Sequence, residues 1–368
     1  MNFALGYPLT DPDDRDSFVD VVRDYREHVH EVYFPWIDSP SGRSALATRR
    51  GCTDWTAQHR LEDDLLALRE MGVKLDLLFN ANCYGDKAIS TQLENQVGSL
   101  LDHLDQHVGG VDVVTTTSPF IARCIKKHFP HVETRASVNM RIGTASAMSL
   151  VSELFDSFYV QRDVQRNLAA IRKLRAWADR AGRKLCVLAN SGCFHVCPGQ
   201  TFHDNLVAHE AGVAETQNVS DWNPILCWRT LKDQSRWPHV LQSTWIRPED
   251  LHHFEGLADV VKLATRMHAR PRMVLDAYTS GRHRGNLLDL FEPAFSPAFA
   301  PHAIDNDRFP DDWFEKTSTC DHDCEACGYC AGVLNRVLIQ VDDAAPDVNA
   351  DLDSENAAGL VPLTIAHT

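Results

Sequence analysis

The sequence lacks the features that would place the chain in a membrane, in a secretory pathway or on nucleic acid. No apolar run among its 368 residues is long enough to cross a bilayer, and the start, Met1-Asn-Phe-Ala-Leu-Gly6, has no signal-peptide pattern. Basic residues are few, 36 Lys and Arg against 51 Asp and Glu, which gives a formal net charge of -15. This balance argues against broad nucleic-acid binding, because such binding needs a basic surface. We therefore expect a cytoplasmic protein without a membrane partner.

A glycine-rich phosphate-binding motif is also missing after the first predicted strand, which weakens a dinucleotide-binding interpretation. The chain instead alternates short apolar strands with amphipathic helices. Strands are predicted at residues 2–6, 30–36, 74–80, 111–115, 132–139, 158–161, 184–188 and 260–263. Helices are predicted at residues 14–28, 54–71, 93–104, 119–127, 145–155, 164–181 and 273–278. Eight strand–helix units of this kind predict an α/β fold, a closed (β/α)8 barrel of the TIM type.

The predicted barrel occupies residues 1–283, followed by a C-terminal extension at 284–340 and an acidic tail at 341–368. A long loop, residues 189–259, follows the seventh strand, and barrel loops of this length are usually functional. The extension is irregular and rich in Pro and Phe, so we expect it to pack across one barrel face. The tail has six acidic residues and no Lys or Arg, a composition that predicts disorder.

Eleven cysteines are unevenly distributed, with eight of them between residues 186 and 330. In a reducing cytosol this clustering indicates metal binding rather than disulfides. Cys193 and Cys197 lie on the turn after strand seven, and Cys227 lies further along the same loop. These three thiols (the thiol triad) suit zinc or iron–sulfur chemistry, and the long gap to Cys227 favours an iron–sulfur cluster. We expect Cys186 to be a core thiol inside strand seven. If the triad is the whole set, one iron is open to substrate, water, sulfide or His203.

A second group of four thiols lies within eleven residues of the extension. We call it the C-terminal cassette: Cys320-x3-Cys324-x2-Cys327-x2-Cys330. It fits a zinc ion or a cluster that fixes the extension in place. Alternatively, one of its thiols completes the first cluster and leaves the others as spares or zinc ligands. The first three also have the spacing of radical SAM enzymes, but that motif normally follows the first strand near the N-terminus.

Polar residues end several of the predicted strands, and the active site of a parallel barrel lies at the carboxyl ends of its strands. They are Asn80 and Asn82, Thr115 to Ser118, Asn139 and Arg141, Gln161 to Asp163, Asn190 and Ser191, and Lys262 and Arg266. Strand ends are often polar simply because they meet solvent, but those next to the triad are favoured as functional. Our candidates for substrate orientation and proton transfer are Arg162, Asp163, Asn190, His203 and Arg266. The basic segment 166–184 is most simply a solvated outer face, with RNA docking as the alternative.

Five segments resemble the collagenase-like peptidase family of unassigned mechanism, family thirty-two of the U-type peptidases. They are Tyr159-Val-Gln-Arg-Asp163, Leu188-Ala-Asn-Ser-Gly-Cys193 with Cys197-Pro198, Trp245-Ile-Arg-Pro-Glu-Asp-Leu251, Val261-Lys-Leu-Ala-Thr-Arg266 and Gly285-Asn-Leu-Leu-Asp289. They span residues 155–290, and the preceding predicted barrel is compatible with the family.

The resemblance implies a (β/α)8-type barrel with an oxygen-sensitive [4Fe-4S] cluster on four cysteines. Family members include proteins of oxygen-independent hydroxylation in ubiquinone synthesis and others that hydroxylate RNA bases, while the peptidase label is an older assignment without clear catalytic machinery. By position, Cys193 and Cys197 look like the family's ligands after strand seven, and Cys227 like a later one. The chain departs from the pattern because it has no cysteine near residues 245–250 and adds the cassette. The fourth ligand is therefore open.

We expect an iron–sulfur-dependent redox or group-transfer enzyme, with oxygen-independent hydroxylation of an organic substrate or nucleobase as the preferred reaction. Sulfur transfer through an open cluster iron fits equally well. The alternatives are a cysteine or metal-independent peptidase with a Cys–His nucleophile pair, and a non-catalytic partner subunit that bears a cluster. The expected cofactors are one or two [4Fe-4S] clusters, with zinc as the alternative at the cassette. The expected partners are the small-molecule or nucleobase substrate, an electron- or sulfur-donor protein, and a second subunit in a homo- or heterodimer.

Overall fold

The protein is described by a computed structural model that covers residues 1–8, 17–36, 55–214, 216, 222 and 224–341. The predicted acidic tail beyond residue 341 and Cys52 lie outside these residues. None of the helices described is long and apolar enough to cross a membrane.

Eight parallel strands form a closed barrel in chain order, which confirms the predicted fold. The strands are β1 Phe3–Gly6, β2 Val29–Phe34, β3 Lys74–Phe79, β4 Val113–Thr116, β5 Glu133–Ala136, β6 Ser157–Tyr159, β7 Lys184–Leu188 and β8 Val260–Leu263. Phe3 pairs with Val29 on one side and with Val261 on the other, so β1 closes the sheet against β8.

Successive side chains of each strand point alternately into the barrel interior and into the layer between the strands and the helices. Leu75 and Leu77 pack in the layer between strands and helices, whereas Leu78 packs inside the barrel. Cys186 also lies inside and is fully buried, which confirms the predicted core thiol. Burial raises the pKa of this thiol to about 12.

Helices surround the barrel and follow the predicted pattern up to β7. They are α1 Phe18–Asp24, α2 Trp55–Glu70, α3 Thr91–Val108, α4 Pro119–His128, α5 Ala145–Leu150 and α6 Leu168–Ala181. Several predicted boundaries differ by a few residues, including the end of α5 at Leu150 instead of Phe155, and two of the differences have a clear local cause. The fifth strand stops at Ala136, because the Ser137 side chain accepts a hydrogen bond from the Asn139 amide and starts a 3₁₀ turn at Val138–Met140. Helix α6 starts at Leu168 instead of Val164, because Asn167 caps it by accepting from Ala170 N at 3.0 Å.

The segment between β7 and β8 contains four short helices, α7 Gln200–Ala208, α8 Glu210–Ala214, α9 Leu226–Leu231 and α10 Pro238–Gln242. After β8 come α11 Pro271–Ser280, α12 Ser296–Phe299, β9 His302–Ile304, α13 Trp313–Ser318, α14 Cys324–Cys327, α15 Tyr329–Val337 and β10 Leu338–Gln340. The remaining short elements are 3₁₀ turns at Gly85–Lys87, Arg162–Val164, Gln234–Arg236, Pro248–Phe254, Leu287–Leu290 and Asn306–Arg308.

The C-terminal extension is therefore more regular than predicted. Its β9 and β10 pair antiparallel, and α15 buries Val333, Leu334 and Val337 in the main core. Aromatic pairs join the extension to the segment after β7, including Trp237 with Phe299 at 4.2 Å between ring centroids. The extension thus packs over the carboxyl ends of β7 and β8.

Candidate metal centre

A cavity opens at the carboxyl ends of the barrel strands, and all three thiols of the triad line it. Cys193 comes from the turn after β7, Cys197 from the residues before α7, and Cys227 from α9. The structure therefore brings together three thiols that are widely separated in the sequence, at the end of the barrel where active sites form.

The turn that carries Cys193 is fixed against the extension. Ser191 pairs with Glu292 in a parallel bridge, and Gly192 N donates to the Glu292 carbonyl at 3.1 Å. A Cβ atom at Gly192 would lie 2.6 Å from the carbonyl oxygen of Pro293. Only glycine allows this approach, so the sequence Asn-Ser-Gly-Cys sets the position of the first thiol.

Asp163 and Asn190 hold this turn but do not line the cavity. Asp163 accepts from Val196 N at 2.7 Å, between the first two thiols. The Asn190 amide is buried, and it bonds to both backbone groups of Ala264 and to the Leu290 carbonyl. Their contacts in the structure position the backbone around the triad, and their predicted roles in substrate orientation stay predictions.

The other three predicted residues do line the cavity. Arg162 Nη1 lies 3.5 Å from Cys193 Sγ, His203 projects from α7, and Arg266 follows β8. The structure thus brings Arg162, His203 and Arg266 together with the thiols. Positive charge beside a thiol favours the thiolate form that binds metal.

Burial and mutual repulsion dominate the electrostatics of the thiols. Burial, and then the neighbouring Cys193 and Cys197, raise the pKa of Cys227 to about 12. Burial also raises the pKa of Cys197, with Cys193 adding to the shift. These interactions place the sulfurs of Cys193 and Cys197 within electrostatic range of Cys227, and a bound cation would favour the ionised forms of Cys197 and Cys227.

Lys262 is a cavity residue that was noted at a strand end but not selected as a candidate. Its Nζ lies 3.6 Å from the ring centroid of Tyr33, and both residues line the cavity. Burial, and then Arg266, lower the pKa of Lys262. The sequence signal for this residue was a lysine inside an apolar strand, at a position that alternation directs into the barrel.

A buried ionic network lies below Lys262 inside the barrel, and the sequence analysis missed it. Arg135 pairs with Glu31 through both guanidinium ends, and its Nη2 also donates to Glu133 Oε1 at 2.9 Å. Arg135 Nη1 lies 3.6 Å from Asp76 Oδ2, and burial raises the pKa of Asp76. Alternation of the strands put these charges inside the barrel, but sequence alone did not pair them.

The donor set of the triad suits both a single soft ion and an iron–sulfur cluster, because thiolates bind either. A single ion draws its ligands to one point, whereas each thiolate of a [4Fe-4S] cluster binds a different iron. Over the residues that the structure describes, no three His, Cys, Asp or Glu side chains are gathered around one point. The observation that the structure does give is that all three thiols line one cavity.

The C-terminal cassette does not line the cavity, and its thiols lie near Arg166 instead. The expectation that residues 166–184 form a solvated outer face is wrong for Arg166, which is only 5% exposed. Its guanidinium carbon lies 5.4 Å from the ring centroid of Trp245 and 5.3 Å from that of Trp313. These two indoles enclose it because Arg166 precedes α6 and faces the extension.

Comparisons with known proteins agree with the predicted family. No family model matches the sequence. A curated relative, the uncharacterized protease MJ1657 of Methanocaldococcus jannaschii, is 24% identical over 289 residues, which cover 73% of this chain and 79% of the relative. Among solved structures, the U32 peptidase Mk0906 matches with a TM-score of 0.50 at 17% identity, over 71% of this chain and 92% of that one. The structure neighbour shows the barrel fold, and the relative, which is named as a protease, agrees with the resemblance to the U32 peptidase family that the motifs carry.

Proposed function

We infer that this protein is an iron–sulfur enzyme whose [4Fe-4S] cluster is held by Cys193, Cys197 and Cys227, and that it hydroxylates an organic substrate or nucleobase without O₂. The observation that carries this inference is the convergence of the three thiols on one cavity at the barrel mouth. Three thiolates leave one iron of such a cluster for a ligand that is not a cysteine. When bound, the cluster supplies an iron that can accept a substrate atom or exchange an electron.

The side chains around the triad have separate tasks in this proposal. Arg162 donates a hydrogen bond from Nη1 to Cys193 Sγ at 3.5 Å and so orients this thiol in the cavity. Arg266 and Lys262 line the same cavity from β8 and the residues after it, where they orient an anionic or carbonyl-bearing substrate. Because burial and Arg266 lower the pKa of Lys262, its amine can release a proton more easily than an ordinary lysine.

Replacing a C–H bond by C–OH oxidises the substrate by two electrons. Without O₂, the reaction needs either an electron acceptor with water as the oxygen source, or an organic oxygen donor that is itself reduced. The oxidant in this proposal is therefore either an electron acceptor or an organic oxygen donor. With water as the oxygen source, two protons leave together with the two electrons, and Lys262 and His203 at the cavity wall are the candidate bases that accept them. With an organic oxygen donor, the oxygen atom is transferred without net release of a proton.

Sulfur transfer is the second candidate, because the same open iron would bind sulfide as readily as an oxygen ligand. A peptidase is favoured less. A cysteine nucleophile needs a lowered thiol pKa, and the pKa values of Cys197 and Cys227 are raised by burial. Cys193, beside Arg162, is the thiol on which a peptidase mechanism would depend.

Anaerobic purification tests the cluster directly. We expect iron and acid-labile sulfide in equal amounts, a brown absorption band, and an electron paramagnetic resonance signal of the reduced protein that shifts when cyanide is added. Cys227→Ser should lose about four irons per chain relative to the parent protein. Cys124→Ser, which changes a buried thiol of α4 outside the cavity, is the matched control and should lose none.

The reaction is tested in cells grown without O₂ that express either the parent protein or Cys227→Ser. Their nucleosides and aromatic small molecules are compared by mass spectrometry, with a gain of one oxygen atom expected in a product of the parent protein alone. A gain of sulfur instead supports the second candidate. Cleavage of casein that survives chelation and iron loss but disappears in Cys193→Ala would show a peptidase and contradict the proposal.

A further inference from the structure

The C-terminal cassette has three of its four thiols on two consecutive short helices, and the other, Cys320, in the segment before them. Cys324 and Cys327 lie on α14, and Cys330 lies in the first turn of α15. Gly328 between these helices has φ +63°, a backbone conformation that favours glycine and lets the chain reverse within one residue. The His322 amide donates to Cys320 Sγ at 3.2 Å, so the fourth thiol already accepts a hydrogen bond.

The four thiols share one electrostatic environment. Burial raises the pKa of Cys330 to about 11, with opposition from Arg166 and reinforcement from Cys324, Cys320 and Cys327. Burial likewise raises the pKa of Cys324, and Cys320 and Cys327 add to it. The thiols are therefore neighbours in space as well as in sequence.

Arg166 supplies an independent indication of a bound anionic group. It donates one hydrogen bond, from Nη2 to the Leu241 carbonyl at 3.3 Å, while its buried Nε and Nη1 have no hydrogen-bond partner among the described residues. The negative groups that act on it are Cys330, Asp250 and Cys320. A buried guanidinium with two unused donors is costly unless negative charge lies beside it.

The cassette is distinct from the triad. The thiols that act on Cys227 are Cys193 and Cys197, whereas those that act on Cys330 all belong to the cassette. The two groups meet through His195 and His322, whose rings stack at 3.8 Å between centroids with an interplanar angle of 10°. His195 lies between Cys193 and Cys197, and His322 lies between Cys320 and Cys324, so the two thiol groups are neighbours in the fold.

We propose that Cys320, Cys324, Cys327 and Cys330 bind a second [4Fe-4S] cluster, and that Arg166 is its buried counter-cation. The run Cys324-x2-Cys327-x2-Cys330 has the spacing of bacterial ferredoxins, in which three such thiols bind one cluster. Structural zinc sites typically use two separated pairs of ligands, whereas the cassette thiols form one continuous run. Four thiolates around the cluster carry net negative charge, which Arg166 offsets.

Metal counting in the full chain separates this proposal from the proposed function. One variant replaces the triad (Cys193→Ser, Cys197→Ser, Cys227→Ser), and the other replaces all four cassette cysteines by serine. The parent protein should contain about eight irons and eight sulfides per chain, and each variant about four. Loss of all iron from the triad variant overturns the second cluster, and retention of one zinc ion there overturns it in favour of a zinc site. If instead all iron stays in the triad variant and disappears with the cassette, the proposed function fails and the second cluster stands.

Arg166 provides a test that does not depend on changing a ligand. Arg166→Met should lower the reduction potential of the cassette cluster and speed its loss, because reduction adds an electron to a centre that has lost a nearby positive charge. Arg166→Lys should recover part of the potential. Arg172→Met, on the exposed face of α6, is the control and should change nothing. Potentiometry on the triad variant measures the cassette alone, and identical potentials for parent, Met and Lys proteins would overturn the role of Arg166.

Discussion

The thiol triad and the C-terminal cassette differ most in the cation beside each. Lys262 at the triad cavity is a buried amine whose pKa is lowered by burial and by Arg266. Arg166 at the cassette is also buried, and burial lowers its pKa to about 10, yet it stays charged at neutral pH. An amine of this kind can move a proton, whereas a guanidinium keeps its charge. The mouth of the barrel is therefore suited to reaction, and the cassette to holding a fixed charge.

The two groups also differ in how their backbones are held. The triad turn is fixed by Gly192, Asp163 and Asn190, whose contacts involve no cysteine. The cassette depends more on its own thiols, since all of its residues are exposed or half-exposed and α14 is a single turn. Loss of metal should consequently leave the triad turn in place and release the cassette.

The largest expected effect is the destabilisation of the extension when the cassette loses its metal. In very small domains, a closed metal site contributes about 10 kcal/mol of folding free energy. Lys316 in α13 already has an exposed side chain, so serine at all four cassette positions should speed tryptic cleavage there by unfolding the backbone around it. The triad variant should be cut no faster than the parent. Mass spectrometry of timed digests measures both rates. Equal cleavage rates of the two variants would contradict the conclusion that the cassette depends on its metal more than the triad turn does.

Arg135 is the next test, because it is a buried arginine with the partners that Arg166 lacks. Removing one member of a buried ion pair leaves the other unpaired, so Arg135→Met should cost about 3–5 kcal/mol of unfolding free energy. The cost should be equal with and without metal, since Glu31 and Glu133 stay in either case. Arg166→Met should be costly only in the metal-loaded protein.

Urea unfolding of metal-loaded and metal-free protein measures both effects. Arg23→Met is the control, because its ion pair with Asp20 is exposed on both sides and should contribute less than about 1 kcal/mol. A metal-independent cost for Arg166→Met, similar to that of Arg135→Met, would contradict the assignment of Arg166 as a counter-cation.

Lys262 tests the reactive side of the comparison. If its amine moves a proton, Lys262→Met should reduce turnover by at least about 100-fold, as is usual for a positioned acid or base. The lowered pKa makes the neutral amine available closer to neutral pH, so turnover of the parent should rise with pH over that range. Lys262→Arg keeps the charge but cannot titrate there, and should lose this rise. A pH profile unchanged in Lys262→Arg would restrict Lys262 to substrate binding.

Sequence predicted the barrel because strand and helix periodicity is local, and β7 and β8 have the predicted boundaries. It also predicted the triad, because a thiol pair after a strand must lie at the barrel mouth. It missed what depends on distant packing: the partners of Arg135, the enclosure of Arg166 by Trp245 and Trp313, and the use of Asn190 as a backbone tie. A residue at the end of a strand, such as Asn190, contacts its partners in the extension only after the extension has packed over the barrel.

The smallest expected effect concerns the contact between the two thiol groups. The His195–His322 stack should contribute about 0.5–1.5 kcal/mol, the range of aromatic pairs. His195→Ala and His322→Ala should each lower the stability slightly, and the double variant should cost less than the sum of the two by that amount.

If the stack also holds the cassette against the barrel, each single variant should speed tryptic cleavage at Lys316 to a similar, modest extent. His252→Ala, which changes a histidine pair outside both groups, is the control and should leave that cleavage unchanged. If the effects of His195→Ala and His322→Ala on stability are additive, the stack does not couple the two sites, and the triad and the cassette are independent sites on one chain. The role of Lys262 in moving a proton and the role of Arg166 in holding a charge would then have no energetic link.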